Sequence, residues 1–222
     1  MSRSAHRRFA RLEDLGLARR EFAVLARLRT PQRIQSFLDA VSINHEVAGE
    51  TILSVRQVLM QRRAHCIEAA FVAACALWVH GKRPLVMYLD CAPSDFAHVI
   101  TLFKVRGCWG AISKSRGEGL RYRDPVYRSL RELAMSYFHE YTDERGRRTL
   151  REYSVTFDMR HLDPSLWVTS IEPCAEAQDR LARLRRYSLL SSHQESLVSK
   201  RGHGTAMTIG RRPSPQRVPG SS

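Results

Sequence analysis

Cys66 opens the run CIEAAFVAACALWVHG, the most hydrophobic stretch of the chain, which Gly81 stops. The thiol is therefore expected in the first turn of a buried helix. There it would meet the positive end of the helix dipole and free backbone donors, which stabilise a thiolate and later an oxyanion on an acyl intermediate. His98 opens a second apolar run, HVITLFKV, and Trp109 lies in the next, CWGAIS. A neighbouring imidazole can take or hold the thiol proton. His65 is the rival base, although neighbours on a helix point in different directions. Glu68 reads as a structural or substrate-pocket carboxylate, and Cys75, deeper in the same helix, reads as core.

The elements that must position these groups follow from periodicity. Thr30 and Pro31 supply a cap and first helical residue for Ile34, Phe37, Leu38 and Val41. A second helix is expected from about Glu50, with Ile52, Val55 and Leu59 on one face. After the cysteine helix, LVMYL at 85–89, HVITLFKV at 98–105 and CWGAIS read as strands, the last two joined by a tight Arg106-Gly107 turn. Asp124-Pro125 predicts another helix, with Val126, Leu130, Leu133, Tyr137 and Tyr141 as its stripe. TLREYSVTF alternates as a strand, and a charged helix carrying Leu181, Leu184 and Tyr187 is expected from about Glu172 to Leu190.

AHCIEAAFVAACALWVHG resembles the GxCxE/D helix of the transglutaminase-like superfamily, and DFAHVITLF followed by GCWGAIS resembles its HxWxEV and GW-type strands. The resemblance spans roughly Gln61 to Ser115. It implies an α+β, papain/transglutaminase-like fold, with a buried Cys helix packed on an antiparallel sheet and flanking helices. It also implies a Cys-His-Asp triad for acyl transfer or amide hydrolysis. Cys66 and His98 match the first two positions; the third, four residues after the tryptophan, is Ser113. A serine can orient an imidazole but offers no charge to an imidazolium. Asp95 or Asp90 could substitute, although the pattern places neither. Trp109 then reads as a core or site-wall aromatic that shields the dyad.

The chain has 222 residues and 43% hydrophobic composition, enough for one core. The division expected is a basic N-terminal extension over 1–20, a domain over 21–190 and a disordered basic tail over 191–222. The net charge of +14 and the pI near 10.3 raise a nucleic-acid reading. Much of the surplus sits at the termini, however, and no zinc finger or Gly-rich phosphate loop is present, so no specific nucleic-acid partner is expected. Lys114, Arg116, Arg121 and Arg123 could form a basic rim for an acidic substrate or simply a solvated loop. Five cysteines without a CxxC pair, and no apolar leader or long apolar run, predict a reduced, cytoplasmic protein with no membrane partner, no metal and no cofactor.

Two functions fit these readings. One is a cysteine-dependent amide or acyl hydrolase or acyltransferase that uses Cys66 and His98 on a peptide, protein or small amide or acyl substrate. The alternative is a non-catalytic interaction or scaffold protein of the same fold, for which Ser113 is the argument.

Overall fold

The computed structural model describes residues 8–45 and 51–198, and the other positions lie outside that description. Its first third is helical, with α1 (Leu12–Leu15), α2 (Arg19–Arg27), α3 (Pro31–Asp39) and α4 (Val55–Gln61). The short strands β1 (Ser42–Ile43) and β2 (Arg63–Ala64) pair in parallel within this region. Caps set the helix boundaries. Thr30 Oγ accepts from the Arg33 N–H at 3.2 Å with Pro31 behind it, and Ser54 Oγ accepts from the Gln57 N–H at 3.3 Å. The second helix therefore begins at Val55; Glu50, where it was expected to begin, lies outside the described residues.

Next comes α5 (Cys66–Val79), in which every residue from Ile67 to Trp78 is buried. A helix with no polar stripe must be enclosed on all sides. Here α2, α3 and α4 cover it from one direction and the sheet from the other. Trp167 closes the far end, stacked on Trp78 with ring centroids 6.5 Å apart and tilted against Phe71 at 6.1 Å.

The remaining elements are β3 (Leu85–Cys91), β4 (His98–Val105), β5 (Cys108–Ile112), β6 (Arg123–Tyr127), α6 (Leu130–Met135), β7 (Leu150–Ser154), β8 (Phe157–Asp158), α7 (Ala175–Ala182), β9 (Arg186–Ser188) and α8 (Ser192–Leu197). The sheet order is β6-β5-β4-β3-β7-β9, all antiparallel, and β8 continues along β3 where β7 ends. The chain is thus α+β. Val99 and Phe103 of β4 join the α5 cluster, while Ile100 and Leu102 join Leu133, Ala134 and Tyr137 on the other face. Burial on both faces explains why β4 reads as a continuous apolar run rather than an alternating one. At its end, Arg106 and Gly107 both have positive φ, 48° and 86°, the two-residue hairpin geometry that matches strand twist.

Four expectations are corrected. Asp124-Pro125 does not start a helix; it lies in the edge strand β6, where a proline forfeits no needed ladder bond. Pairing of Trp109 with Tyr127 and of Ala111 with Arg123 covers β5, and the helix waits for Ser129, whose Oγ accepts from the Glu132 N–H at 3.1 Å. The segment from Glu172 to Leu190 is likewise not one helix: α7 ends at Ala182, and β9 pairs with β7. The N-terminal segment is more than an extension, since Ala10, Leu15 and Leu17 are buried in the core and the Ala10 N–H donates to Trp78 O at 3.1 Å. Finally, the start of the expected tail forms α8, held by Arg151 Nε to Glu195 Oε1 at 2.5 Å; the rest of the tail lies outside the described residues. Among the described residues no helix is long and apolar enough to cross a membrane.

Candidate active site

Arg62, in the left-handed region at φ 55°, ends α4, and β2 carries the chain straight into the start of α5. His65 is the extended N-cap residue and Cys66 the first helical one. Glu68, at the third helical position, reaches back to accept from the His65 N–H at 2.8 Å, half of a capping box. A capping glutamate is usually solvated, but this one is fully buried. Its carboxylate also accepts from the Leu53 N–H at 2.7 Å, Thr51 Oγ at 3.0 Å and Asn44 Nδ2 at 3.0 and 3.1 Å. His65 Nε2 stands 3.3 Å from Glu68 Oε1. Burial alone pushes the Glu68 carboxyl up; the His65 imidazole and the Leu53 and His65 amides reverse this and hold it below its ordinary value.

The imidazoles of His65 and His98 both act on the Cys66 thiol. Burial raises it, but both hydrogen bonds and both charges oppose burial and lower it to about 5. Burial depresses His65, while the hydrogen bonds and negative charges of Cys66 and Glu68 outweigh it and raise the imidazole to about 10. At neutral pH the sulfur is therefore a thiolate beside a protonated His65.

His98 is buried at the head of β4, with Nε2 3.2 Å from Ser113 Oγ. The same hydroxyl lies 2.6 Å from Leu120 O and 2.5 Å from Arg121 O. A hydroxyl has one proton, and the carbonyls can only accept it, so toward His98 the Ser113 oxygen is the acceptor. This network assigns the proton to His98 Nε2 and leaves Nδ1 for the thiol. Gln35 of α3 fixes Ser113 in turn, Oε1 accepting from its N–H at 3.2 Å and Nε2 donating to its carbonyl at 2.9 Å.

The structure thus brings Cys66, His98, Ser113 and Glu68 together and leaves the other candidates elsewhere. Asp95 accepts from the Phe96 N–H at 2.8 Å and bonds Thr149 Oγ, while Asp90 pairs with Arg186 at 3.3 Å; neither orients His98. Trp109 is no wall of the site. It pairs with Lys104, whose Nζ lies 4.7 Å from its ring centroid, six residues along β4 from His98 or roughly 20 Å at strand rise. The basic rim is also spent internally. Lys114 is buried and donates to Leu38 O and Val41 O at 2.7 and 2.5 Å, and Arg116 meets His45 at 2.9 Å. Arg121 lies 3.6 Å from Asp39, and Arg123 lies 3.3 Å from Glu140.

Sequence reasoning underrated His65, because an N-cap residue in extended conformation does not obey helix-surface geometry, and its side chain can turn to its neighbour's sulfur. It missed Gln35 and Asn44 altogether. Gln35 had a readable signal, a polar residue beside Ile34 on the apolar side of α3, whereas Asn44 had none. Among the described residues no cluster of three His, Cys, Asp or Glu side chains is placed to hold a metal ion. No family model matches the chain, and no characterised protein matches it.

Proposed function

We propose that this chain is a transglutaminase-like, papain-related cysteine enzyme that hydrolyses or transfers the acyl group of an amide or ester. Cys66 is the nucleophile, His98 the proton shuttle and Ser113 the group that orients it. The observation that carries the reading is the polarity of the 3.2 Å contact between His98 Nε2 and Ser113, which leaves Nδ1 for the sulfur.

With a proton held on His98 Nδ1, the Cys66 thiolate forms an S–C bond to the substrate carbonyl. As the C–N or C–O bond breaks, His98 gives that proton to the leaving nitrogen or oxygen. Water or an acceptor amine then gives a proton to His98, attacks the thioester and releases the thiolate. In this reading the first-turn N–H groups of α5 are the donors for the developing oxyanion.

Intact-mass analysis after incubation with p-nitrophenyl esters and short peptide amides tests this. An acyl adduct on Cys66 is expected, absent in Cys66→Ala and strongly slowed in His98→Ala, and added hydroxylamine separates transfer from hydrolysis. No adduct on Cys66 with any donor would leave a non-catalytic interaction protein as the better description.

A further inference from the structure

The residue at 113 supplies no negative charge, yet the site contains a buried one, and it lies on the other imidazole. We propose that His65, held by Glu68, is a second catalytic imidazole: a standing positive charge that stabilises the sulfur as nucleophile in acylation and as leaving group in deacylation. This rests on the enzyme reading above and assigns the acid of the site to Glu68, acting as a positioning residue through His65.

The geometry points there from three directions. Glu68 is fully buried and takes hydrogen bonds from Asn44, Thr51, Leu53 and the His65 backbone, so its charge and position are fixed. His65 Nε2 lies 3.3 Å from that carboxylate, and His65 is the N-cap residue directly before Cys66. His98, by contrast, faces a neutral hydroxyl. Among the described residues, the other groups besides His98 that sense the sulfur or Glu68 are phenols and a thiol. Tyr88 of β3 and Tyr141 beyond α6 sense the sulfur and are raised, first by burial; Cys174 faces Glu68 and is raised to about 12 by burial and by that carboxylate.

The division of labour balances protons. His98 spends its proton on the leaving group and regains one from water, while His65 keeps its own throughout. When the thioester C–S bond breaks, the electron pair stays on sulfur beside the His65 imidazolium and no proton is needed there.

The test is the midpoint of Cys66 alkylation by iodoacetamide against pH, read by peptide mass. The midpoint reads acidity independently of nucleophilicity, which itself falls as the thiol becomes more acidic. His65→Gln keeps a polar side chain without the charge and is expected to raise the midpoint by about 1–3 units, with deacylation slowed more than acylation. Glu68→Gln is expected to shift it less, in the same direction. A wild-type midpoint in His65→Gln, with the acidic thiol lost only in His98→Ala, overturns the inference and leaves the Cys66–His98 enzyme standing. A wild-type midpoint near ~8.5 overturns both. Should His65→Gln fail to fold, imidazole nitrogen NMR of the wild type decides: His65 protonated through pH 8 is expected, and titration near ~6.5 overturns the inference.

Discussion

Cys66 and Cys75 share one helix and stand in opposite chemical states. Loss of water raises both thiols, although Cys66 is only partly buried and Cys75 fully so. At Cys75, enclosed in the apolar middle of α5, nothing opposes burial and the thiol is held far above its ordinary range. At Cys66 two imidazoles reverse the effect. The difference lies in position along the helix. Mid-helix backbone groups are mutually satisfied, so apolar neighbours suffice around Cys75, whereas a helix start has unpaired donors that draw in polar partners. Burial by itself therefore says little about whether a cysteine reacts; the groups buried with it decide.

The strongest way to test whether these two halves are independent is Trp78→Ala. Removing a fully buried indole that stacks on Trp167 is expected to cost ~3–5 kcal/mol, read as a lower urea midpoint. The alkylation midpoint of Cys66 should stay where it is; a shift would show that packing near Cys75 controls the thiolate.

Ser113→Asp probes the polar half. A carboxylate there has no proton for Leu120 O and Arg121 O, which now lie 2.6 and 2.5 Å from the hydroxyl. The expected cost is ~1–3 kcal/mol, with acylation slower than in the wild type. A faster enzyme would mean that the two carbonyls yield and that charge on His98 is what the site lacks.

The pH dependence of stability sharpens the comparison further. Folded His65 loses its proton at about 10 and folded Cys66 at about 5; the unfolded groups do so near ~6.5 and ~8.5. Between ~6.5 and ~8.5 the folded imidazolium–thiolate pair and the unfolded neutral pair bind the same number of protons, so the pair adds no slope. As pH falls from ~6.5 toward 5 the unfolded state binds one proton more, and as it rises from ~8.5 toward 10 it binds one fewer. Stability falls in both directions. The difference in urea midpoint between wild type and Cys66→Ala should therefore plateau between ~6.5 and ~8.5 and shrink on either side, whereas the same difference for Cys75→Ala should be flat below ~8.5 and shrink only above it, where the unfolded thiol ionises and the folded one does not. That second substitution is also the mildest, at about 1 kcal/mol, and leaves Cys66 labelling unchanged.

Legibility followed how local the physics is. The α3 start was written in Thr30 and Pro31, α5 in its unbroken apolar run, and the β4–β5 hairpin in Arg106-Gly107. Each is set by a cap, a period or a turn within a few residues. Residues 123–127 carry a helix-like start, but β5 needed a partner, and pairing overrode propensity. The same competition turned 186–188 from helix into the strand beside β7. The site divided along this line too. Cys66 and His98 were identifiable because each opens an apolar element, while Trp109 was misplaced because order along the chain says nothing of how far a hairpin carries a residue.

The sequence by itself determined the apolar helix that begins at a cysteine, the strands that follow and the histidine at the head of one of them. Tertiary structure alone decided which groups surround the sulfur. The buried charge of Glu68 depends on donors from residues 44, 51 and 53, and the polarity of Ser113 depends on the carbonyls of residues 120 and 121. Hydrogen-bond direction and desolvation are properties of the assembled shell, and only the folded chain brings that shell together.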